Sequence, residues 1–429
     1  MAKISKLDAL TIFDSRGNPT VKAWILLDDG TVATSAVPSG ASKGTYEAVE
    51  LRDKEEAYNG MGVTKAIENI KNTIAPALTG MEITDIQSID KKMIELDGTD
   101  NKSVLGANAT LAVSQTAVKA GAMSTNTPLY AYIRNMLASP TSDFQLPTPL
   151  FNMIEGGQHA DNGLNFQEYL IIPATKKTFE EKMELGVHVY QELKKELADK
   201  NMSTLVADEG GFAPDLSTNA DALLLIKSAV EKAHYKFALD VFLGIDIASN
   251  SFRDTKNYKL LERNTSYSPQ ELCEYYKTLA ADYSLLYLED PFSEEDIASW
   301  KTLHESLSTN TLVVGDDLTV TNPYRLQVAL DQNAIGGIII KPNQIGTITE
   351  AIAVSEMARF KNIKVIVSHR SGETTDEFVA DFAVGIGAEY AKFGSPAHER
   401  IAKYNRLLEI SYELATSIYT PTASETVTE

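Results

Sequence analysis

Seven short apolar runs recur between residues 203 and 395, and every one closes on a polar or charged residue. They read "STLVADEGG", "VFLGIDIAS", "SLLYLEDPF", "TLVVGDDLT", "IGGIIIKPN", "IKVIVSHRSG" and "EYAKFGS", with helical patterns between them. Continuously apolar strands alternating with helices predict parallel strands buried on both faces. No residue-level repeat accompanies them, which argues against a solenoid. The closing residues are Glu209, Asp246, Glu289, Asp316, Lys341, His369 and Lys392, and from Asp246 onward they are 43, 27, 25, 28 and 23 residues apart. Apart from the first, each step has the length of one strand, one helix and their loops. In a βα barrel the C-terminal strand ends form one mouth, so closure of this sheet predicts a shared site. A single charged residue after a strand is commonly the first solvated loop position. Seven in register, of both signs, argue for convergence.

The first third of the chain has a different texture. "TVKAWILLDDGTVATSAVP" places two β-rich runs around Asp-Asp-Gly, a hairpin signal. Helical patterns follow in "TDIQSIDKKMIELD", opened by Thr84 or Asp85 as cap, and in "NATLAVSQTAVKAGAMS". "ASPTSDFQLPTP", residues 138–149, then packs three prolines among polar residues and reads as a linker. The expected organisation is an N-terminal α+β domain over 1–138, with an antiparallel sheet plus helices. A linker follows over 139–149, then an α/β domain over 150–429 folded as a TIM-like βα barrel.

Charge narrows the partners. A net charge of −20 disfavours nucleic acid, whose phosphates need clustered cations. A small anionic substrate is compatible only where the site supplies its own positive charge. The one cysteine, Cys273, excludes an internal disulfide and reads as a helical core thiol. With neither a signal-peptide pattern nor an apolar run of membrane-spanning length, the expected location is the cytoplasm.

Asp246, Glu289 and Asp316 close three consecutive runs. Brought together unpaired, three carboxylates would repel, and a divalent cation relieves that repulsion. All-oxygen ligands favour Mg²⁺ or Mn²⁺ over Zn²⁺. The plainer alternative is three separate ion pairs to Lys or Arg. Lys341, His369, Arg370 and Lys392 close later runs. Desolvation and nearby dications push a lysine towards its neutral, basic form. Arg370 beside Ser371 offers a forked donor and a hydroxyl suited to phosphate or carboxylate. Glu209 and Glu168 are carboxylates outside the metal set, available as a general acid. These parts suit proton abstraction α to a carboxylate, where bound cations stabilise the developing enediolate.

Over essentially its whole length the chain resembles the enolase family. The resemblance is carried by "FDSRGNPTV", "VPSGAS", "GGQHA" with "FQE", "DEGGFAP", "LEDPF", "GDDLTVTN", "NQIGTITE", "SHRSGET" and "ERIAKYN", in that order. It implies Mg²⁺-dependent, reversible dehydration of 2-phospho-D-glycerate to phosphoenolpyruvate. In that reading Lys341 is the base that takes the C2 proton, and Glu209, supported by Glu168, is the acid that helps the C3 hydroxyl leave. Asp246, Glu289 and Asp316 hold one Mg²⁺; Ser39 completes a second site that fills with substrate. His159 and Gln167 contact substrate, His369 lies among them, Arg370 and Ser371 clamp its phosphate, and Lys392 meets its carboxylate. The resemblance also implies a homodimer with "DSRGNP" near the interface, octamers in some bacterial members, and a secondary presence at the cell surface. Taken alone, Ser39 reads as a turn serine and His159 as a structural histidine. His188, His234, His304 and His398 match no catalytic motif.

Departures from the family pattern cluster in loops. Lys43 stands where Thr is usual, "KEEAYNG" follows Arg52-Asp53, and Glu155 replaces an expected Asn before the glycine pair. "SNSFR" follows Ile247-Ala248, Pro342 follows Lys341, Phe393 follows Lys392, and "GSPAHER" is one residue short. Two alternatives accompany the main reading. One is another acid dehydratase of the superfamily; the other is a catalytically weak paralogue acting as a surface or binding protein. The Thr/Ser-rich tail "TPTASETVTE" shows no packed pattern.

Overall fold

The computed structural model describes residues 1–40 and 44–416. Lys43 and the tail "TPTASETVTE" lie outside the described residues. The chain begins with an antiparallel meander of β1 (Ile4–Phe13), β2 (Pro19–Leu27) and β3 (Val32–Ala36). The hairpin expected around Asp-Asp-Gly joins β2 to β3, and β1, not singled out in the sequence, pairs along nearly all of β2. Val21, Ala23, Ile25 and Leu27 alternate along β2 and are buried, the period-two signature of one covered face. The cover is the helix Ala107–Ser124, whose alanines, threonines and serines are buried almost all round, so sheet and helix approach closely. Asp85, of the two expected caps, opens the helix Ile86–Asp97 by accepting the Ser88 N–H. Gly98, at φ +67°, ends it.

The larger sheet holds β4 (Thr148–Pro149), β5 (Phe151–Glu155), β6 (Glu168–Pro173), β7 (Val241–Asp246), β10 (Leu285–Glu289), β11 (Leu312–Gly315), β12 (Gly337–Ile340), β13 (Lys364–Ser368) and β14 (Tyr390–Lys392). A two-residue hairpin, β8 (Arg253–Asp254) with β9 (Asn257–Tyr258), intervenes after β7. The spatial order is β4-β14-β13-β12-β11-β10-β7-β6-β5. Only Leu150 separates β4 from β5; its N–H bonds Ala391, and the Asn152 N–H bonds Gly394. The two ends of the sheet are therefore one stretch of chain, and the sheet closes on itself as an eight-walled barrel with helices outside.

Three details differ from the sequence expectation. β6 runs antiparallel to both neighbours, so the wall is not wholly parallel. "STLVADEGG" is not a strand: Val206 and Phe212 make an isolated bridge, Leu205 is 76% exposed, and Glu209 sits on a turn. The Gly-Gly pair explains this, since Gly210 adopts φ +87°, which breaks a ladder. Finally, the proline-rich stretch 138–149 contributes β4 at its end, so the barrel wall starts within it. Pro149 is tolerated in a ladder two residues long.

Leu150, Leu170, Ile172, Tyr287, Val314, Ile339 and Ile366 form a compact apolar layer inside the barrel. Their strand neighbours Leu288, Val313, Ile338, Ile340, Val365 and Val367 pack outward against the helices. This two-sided burial is why the runs are continuously apolar. It also explains the lysine after three isoleucines. Side chains alternate along a strand, so the residue two beyond Ile339 points the same way, and that residue is Lys341. The same step leads from Tyr287 to Glu289, from Val314 to Asp316, and backwards along reversed β6 from Leu170 to Glu168. Each lands on the polar floor of the mouth.

Candidate active site

A cavity of about 500 Å³ opens at the C-terminal face. Gln167, Glu168, Glu209, Asp246, Asp316, Lys341, His369, Arg370, Ser371 and Lys392 all line it. Glu289 lies just beneath, fully buried. All seven residues that close the apolar runs are thus brought to one place.

Two lysines stand among the carboxylates. Lys392 Nζ is 2.9 Å from Asp246 Oδ2, 2.9 Å from Glu289 Oε2 and 3.0 Å from Glu168 Oε1. Lys341 Nζ is bonded to Asp316 Oδ2, while Gln344 Nε2 donates to the other oxygen at 3.1 Å. Burial opposes the charge on Lys341, but Asp316 outweighs it and holds the pKa above the usual lysine value. The expectation of a neutral lysine is therefore not met in this state. Asp246, Glu289 and Asp316 are held as an alternating set of carboxylates and ammonium groups.

The carboxylates suit a hard dication. Glu289 Oε1 is buried without a hydrogen-bond partner, and burial together with Asp246 pushes this carboxyl up to about 8. Such an orphaned oxygen in an all-oxygen donor set is what Mg²⁺ satisfies. Asp290, Asp316 and Asp317 form a second close group, with oxygens within 4.8 Å of one another. Asp290 accepts the Asp316 and Asp317 N–H groups at 3.0 and 2.8 Å, fixing that turn. The sequence argument did not use Asp290 or Asp317, although both sit in quoted double-acid motifs.

Glu209 engages both of its oxygens. Its Oε2 is 3.0 Å from His369 Nε2, and its Oε1 accepts the Ser371 hydroxyl at 3.2 Å. Arg400 donates to His369 Nδ1 at 3.0 Å, which leaves Nε2 as the protonated nitrogen, donating to Glu209. Burial holds His369 neutral, with its pKa pushed down to about 4. Burial would raise Glu209, but His369, His159 and Arg400 hold it well below the usual carboxylate range. Burial and the neighbouring Glu209 raise Glu168 well above it. Burial and neighbouring charges thus push the two carboxyls in opposite directions, Glu168 towards its protonated form and Glu209 towards its anion.

The remaining expected residues are placed as follows. Arg370 meets the Glu47 carboxylate with both terminal nitrogens, at 3.2 and 3.3 Å, and Asn343 Oδ1 at 3.0 Å. Its fork is formed and directed at an anion, here one from the chain itself. Glu47 lies in a loop with no periodic signal, which is why sequence reasoning missed it, whereas Asn343 stands in the quoted "IGGIIIKPN" and "NQIGTITE" but was given no role. Gln167 Nε2 is 3.5 Å from Asp246 Oδ2. His159 Nε2 is 3.9 Å from Glu209 Oε1. Ser39 exchanges main-chain bonds with Gly372, but Arg52 donates to its hydroxyl at 2.7 Å, and it does not line the cavity. Among the departures, Pro342 begins a short turn after Lys341, and Phe393 is a fully buried core residue.

Comparison with known proteins agrees with this architecture. Residues 4–133 match the family model "Enolase, N-terminal domain", and residues 143–426 match "Enolase, C-terminal TIM barrel domain". The enolase of Ehrlichia canis (strain Jake) is 45% identical over 413 residues, covering 96% of each chain. That of Ehrlichia chaffeensis (strain ATCC CRL-10679 / Arkansas) is 46% identical over 418 residues, covering 96% of this chain and 97% of its own. With both halves matched in order and such relatives aligned almost end to end, the chain belongs to the enolase family.

Proposed function

We propose that the barrel mouth carries out the enolase reaction, a carbon–oxygen hydro-lyase step of glycolysis that interconverts 2-phospho-D-glycerate and phosphoenolpyruvate. The observation that carries the reading is the placement of base and acid. In the ring of eight walls, Lys341 at the end of β12 and Glu168 at the start of β6 are four walls apart, on opposite sides of one cavity. Glu209 stands on Glu168's side.

Lys341 removes the C2 proton. Once Asp316 no longer pairs with it, burial and the neighbouring cations Arg370 and Lys392 all favour its neutral amine. Glu209 delivers a proton to the departing C3 hydroxyl, and Glu168, the neighbouring carboxyl pushed towards its protonated form, supplies it. Arg370 exchanges the Glu47 carboxylate, and Ser371 that of Glu209, for the substrate phosphate, and Lys392 turns from its three carboxylates to that of the substrate. Gln167 borders the same space, His159 lines a neighbouring cavity with its Nε2 3.9 Å from Glu209 Oε1, and His369 keeps Glu209 oriented. Asp246, Glu289 and Asp316 would hold Mg²⁺, which supplies charge stabilisation for the enediolate formed at the substrate carboxylate. Ser39 reaches a second Mg²⁺ only if Arg52 releases its hydroxyl.

The rest of the reading extends family membership: two Mg²⁺ per site, a homodimer or an octamer of such dimers, a cytoplasmic location with some protein at the cell surface, and domains divided at 138 and 150. No helix among the described residues is long and apolar enough to cross a membrane. The direct test follows the ultraviolet absorbance of the enol product from 2-phosphoglycerate and Mg²⁺. A rise that stops with a chelator supports the reaction; a flat trace from folded, Mg²⁺-loaded protein overturns it.

A further inference from the structure

Glu155 departs from the family pattern, and none of the roles above uses it. It is the last residue of β5 and is fully buried. A carboxylate buried beside Glu209 is costly, because lost water and like charge both oppose ionisation. The structure compensates it at three points. Oε1 accepts the Gly211 N–H at 2.6 Å, and Oε2 accepts the Glu209 N–H at 3.2 Å. Oε2 also lies 3.3 Å from His159 Nδ1, on the far side of the imidazole from Glu209. The Glu155 main chain is itself pinned, its N–H to Phe212 and its carbonyl to Asn162.

Ala207, Tyr190, Ser395 and Arg400 also bond this turn, but the N–H groups of Glu209 and Gly211 are bound by Glu155 alone among the described residues. Glu209 stands outside any strand, next to Gly210 in a left-handed conformation. A Cβ at Gly211 would come within 2.9 Å of Glu155 Oε1, so the missing side chain is what admits the carboxylate.

We infer that Glu155 is a positioning residue for the acid side of the reaction: it fixes where the Glu209 carboxylate stands and orients His159 against it, without touching substrate. The inference rests on the role proposed for Glu209. A glutamine cannot substitute in this geometry, because both Glu155 oxygens accept N–H groups and its amide nitrogen would confront a second donor. Loss of Glu155 therefore impairs departure of the C3 hydroxyl, while C2 proton removal by Lys341 and anion capture by Arg370 and Lys392 continue.

The experiment separates the two half-steps. Full-length protein with Mg²⁺ and 2-phosphoglycerate is followed in D₂O by proton NMR, recording loss of the C2 proton signal and appearance of product. Glu155→Gln is expected to slow product formation about ten- to hundredfold, the scale of a misplaced catalytic group. C2 exchange and KM should stay within about threefold of wild type. Glu155→Ala, which removes both acceptors, carries the same expectation and serves if the glutamine variant is insoluble. If exchange and product formation fall together, or neither changes, the inference is overturned. Wild-type protein that neither exchanges nor forms product would overturn the assigned reaction instead.

Discussion

The ammonium of Lys341 is bonded directly to the carboxylate of Asp316, so the proposed base and a proposed metal ligand neutralise each other across the barrel mouth. Replacing Lys341 by Ala should lower kcat by at least about a hundredfold, since a positioned base contributes roughly 10²–10⁴. Circular dichroism should show the fold retained. Residual turnover above about a hundredth of wild type would remove Lys341 from the role of base.

Metal should also act on stability. With Glu289 Oε1 unpartnered and buried, Mg²⁺ is expected to stabilise the fold by about 2.7 kcal/mol at a hundred times its Kd, and so to raise the melting temperature in a concentration-dependent way. A chelator should reverse both this gain and the activity. Glu289→Gln should abolish the gain, and a full Mg²⁺ shift in that variant would place the ion elsewhere.

Asp90 offers a pH signature away from the mouth. It is buried in the helix Ile86–Asp97, accepts the Thr349 N–H at 3.0 Å, and has its other oxygen unpartnered. Burial pushes it up to about 6 from an ordinary 3.8. Because the folded state holds this proton more tightly than the unfolded one, the site's contribution to stability is greatest below pH 4 and falls as pH rises through about 6. Asp90→Asn should therefore be more stable than wild type at pH 8, on the order of 1–3 kcal/mol, with the difference vanishing near pH 4. Melting curves of both proteins across that window decide it. A difference independent of pH would show that Asp90 is not the titrating group.

Arg134 ties the N-terminal half to a barrel helix. Its Nε and Nη2 donate to the Gly385 and Val384 carbonyls, at 2.6 and 2.9 Å, at the end of Phe378–Ile386, and Nη1 reaches Thr141 Oγ1 at 2.7 Å. Arg134→Met should cost about 2 kcal/mol or more in urea unfolding, as buried acceptors lose their donors. kcat per folded molecule should not change. Unchanged stability would mean that water or a neighbour replaces the guanidinium.

The run-ending residues were legible because a parallel wall repeats one rule: side chains alternate, and the mouth lies at the end of each strand. Asp246, Glu289, Asp316, Lys341 and Lys392 follow it, while on β13 the in-phase residue is Ser368 and His369 reaches the mouth from the loop just beyond. Glu168 obeys the mirror image, a polar residue before "YLIIP", and no apolar run states its own direction. Glu209 was found for a reason the structure does not support, since its run is an exposed loop with a glycine turn. Glu47 left no trace, because loops carry no period and its meeting with Arg370 depends on how the two halves pack; Asn343 stood in two quoted motifs that did not state its partner. The two lysines among the acids were visible as residues. Their pairing as a resting state was not, because spacing shows proximity and says nothing about which charge is nearest.

The single reversed strand also bears on the order of events when the chain folds. β5 and β6 are joined at the rim by residues 156–167 and can zip as a local hairpin as soon as both have been synthesised. The other edge of the same stretch, β4, waits for β14, which lies beyond every other wall. One strand thus carries both a very local and a very remote pairing. The ring can nucleate at this seam early and cannot be sealed there until the last wall has left the ribosome.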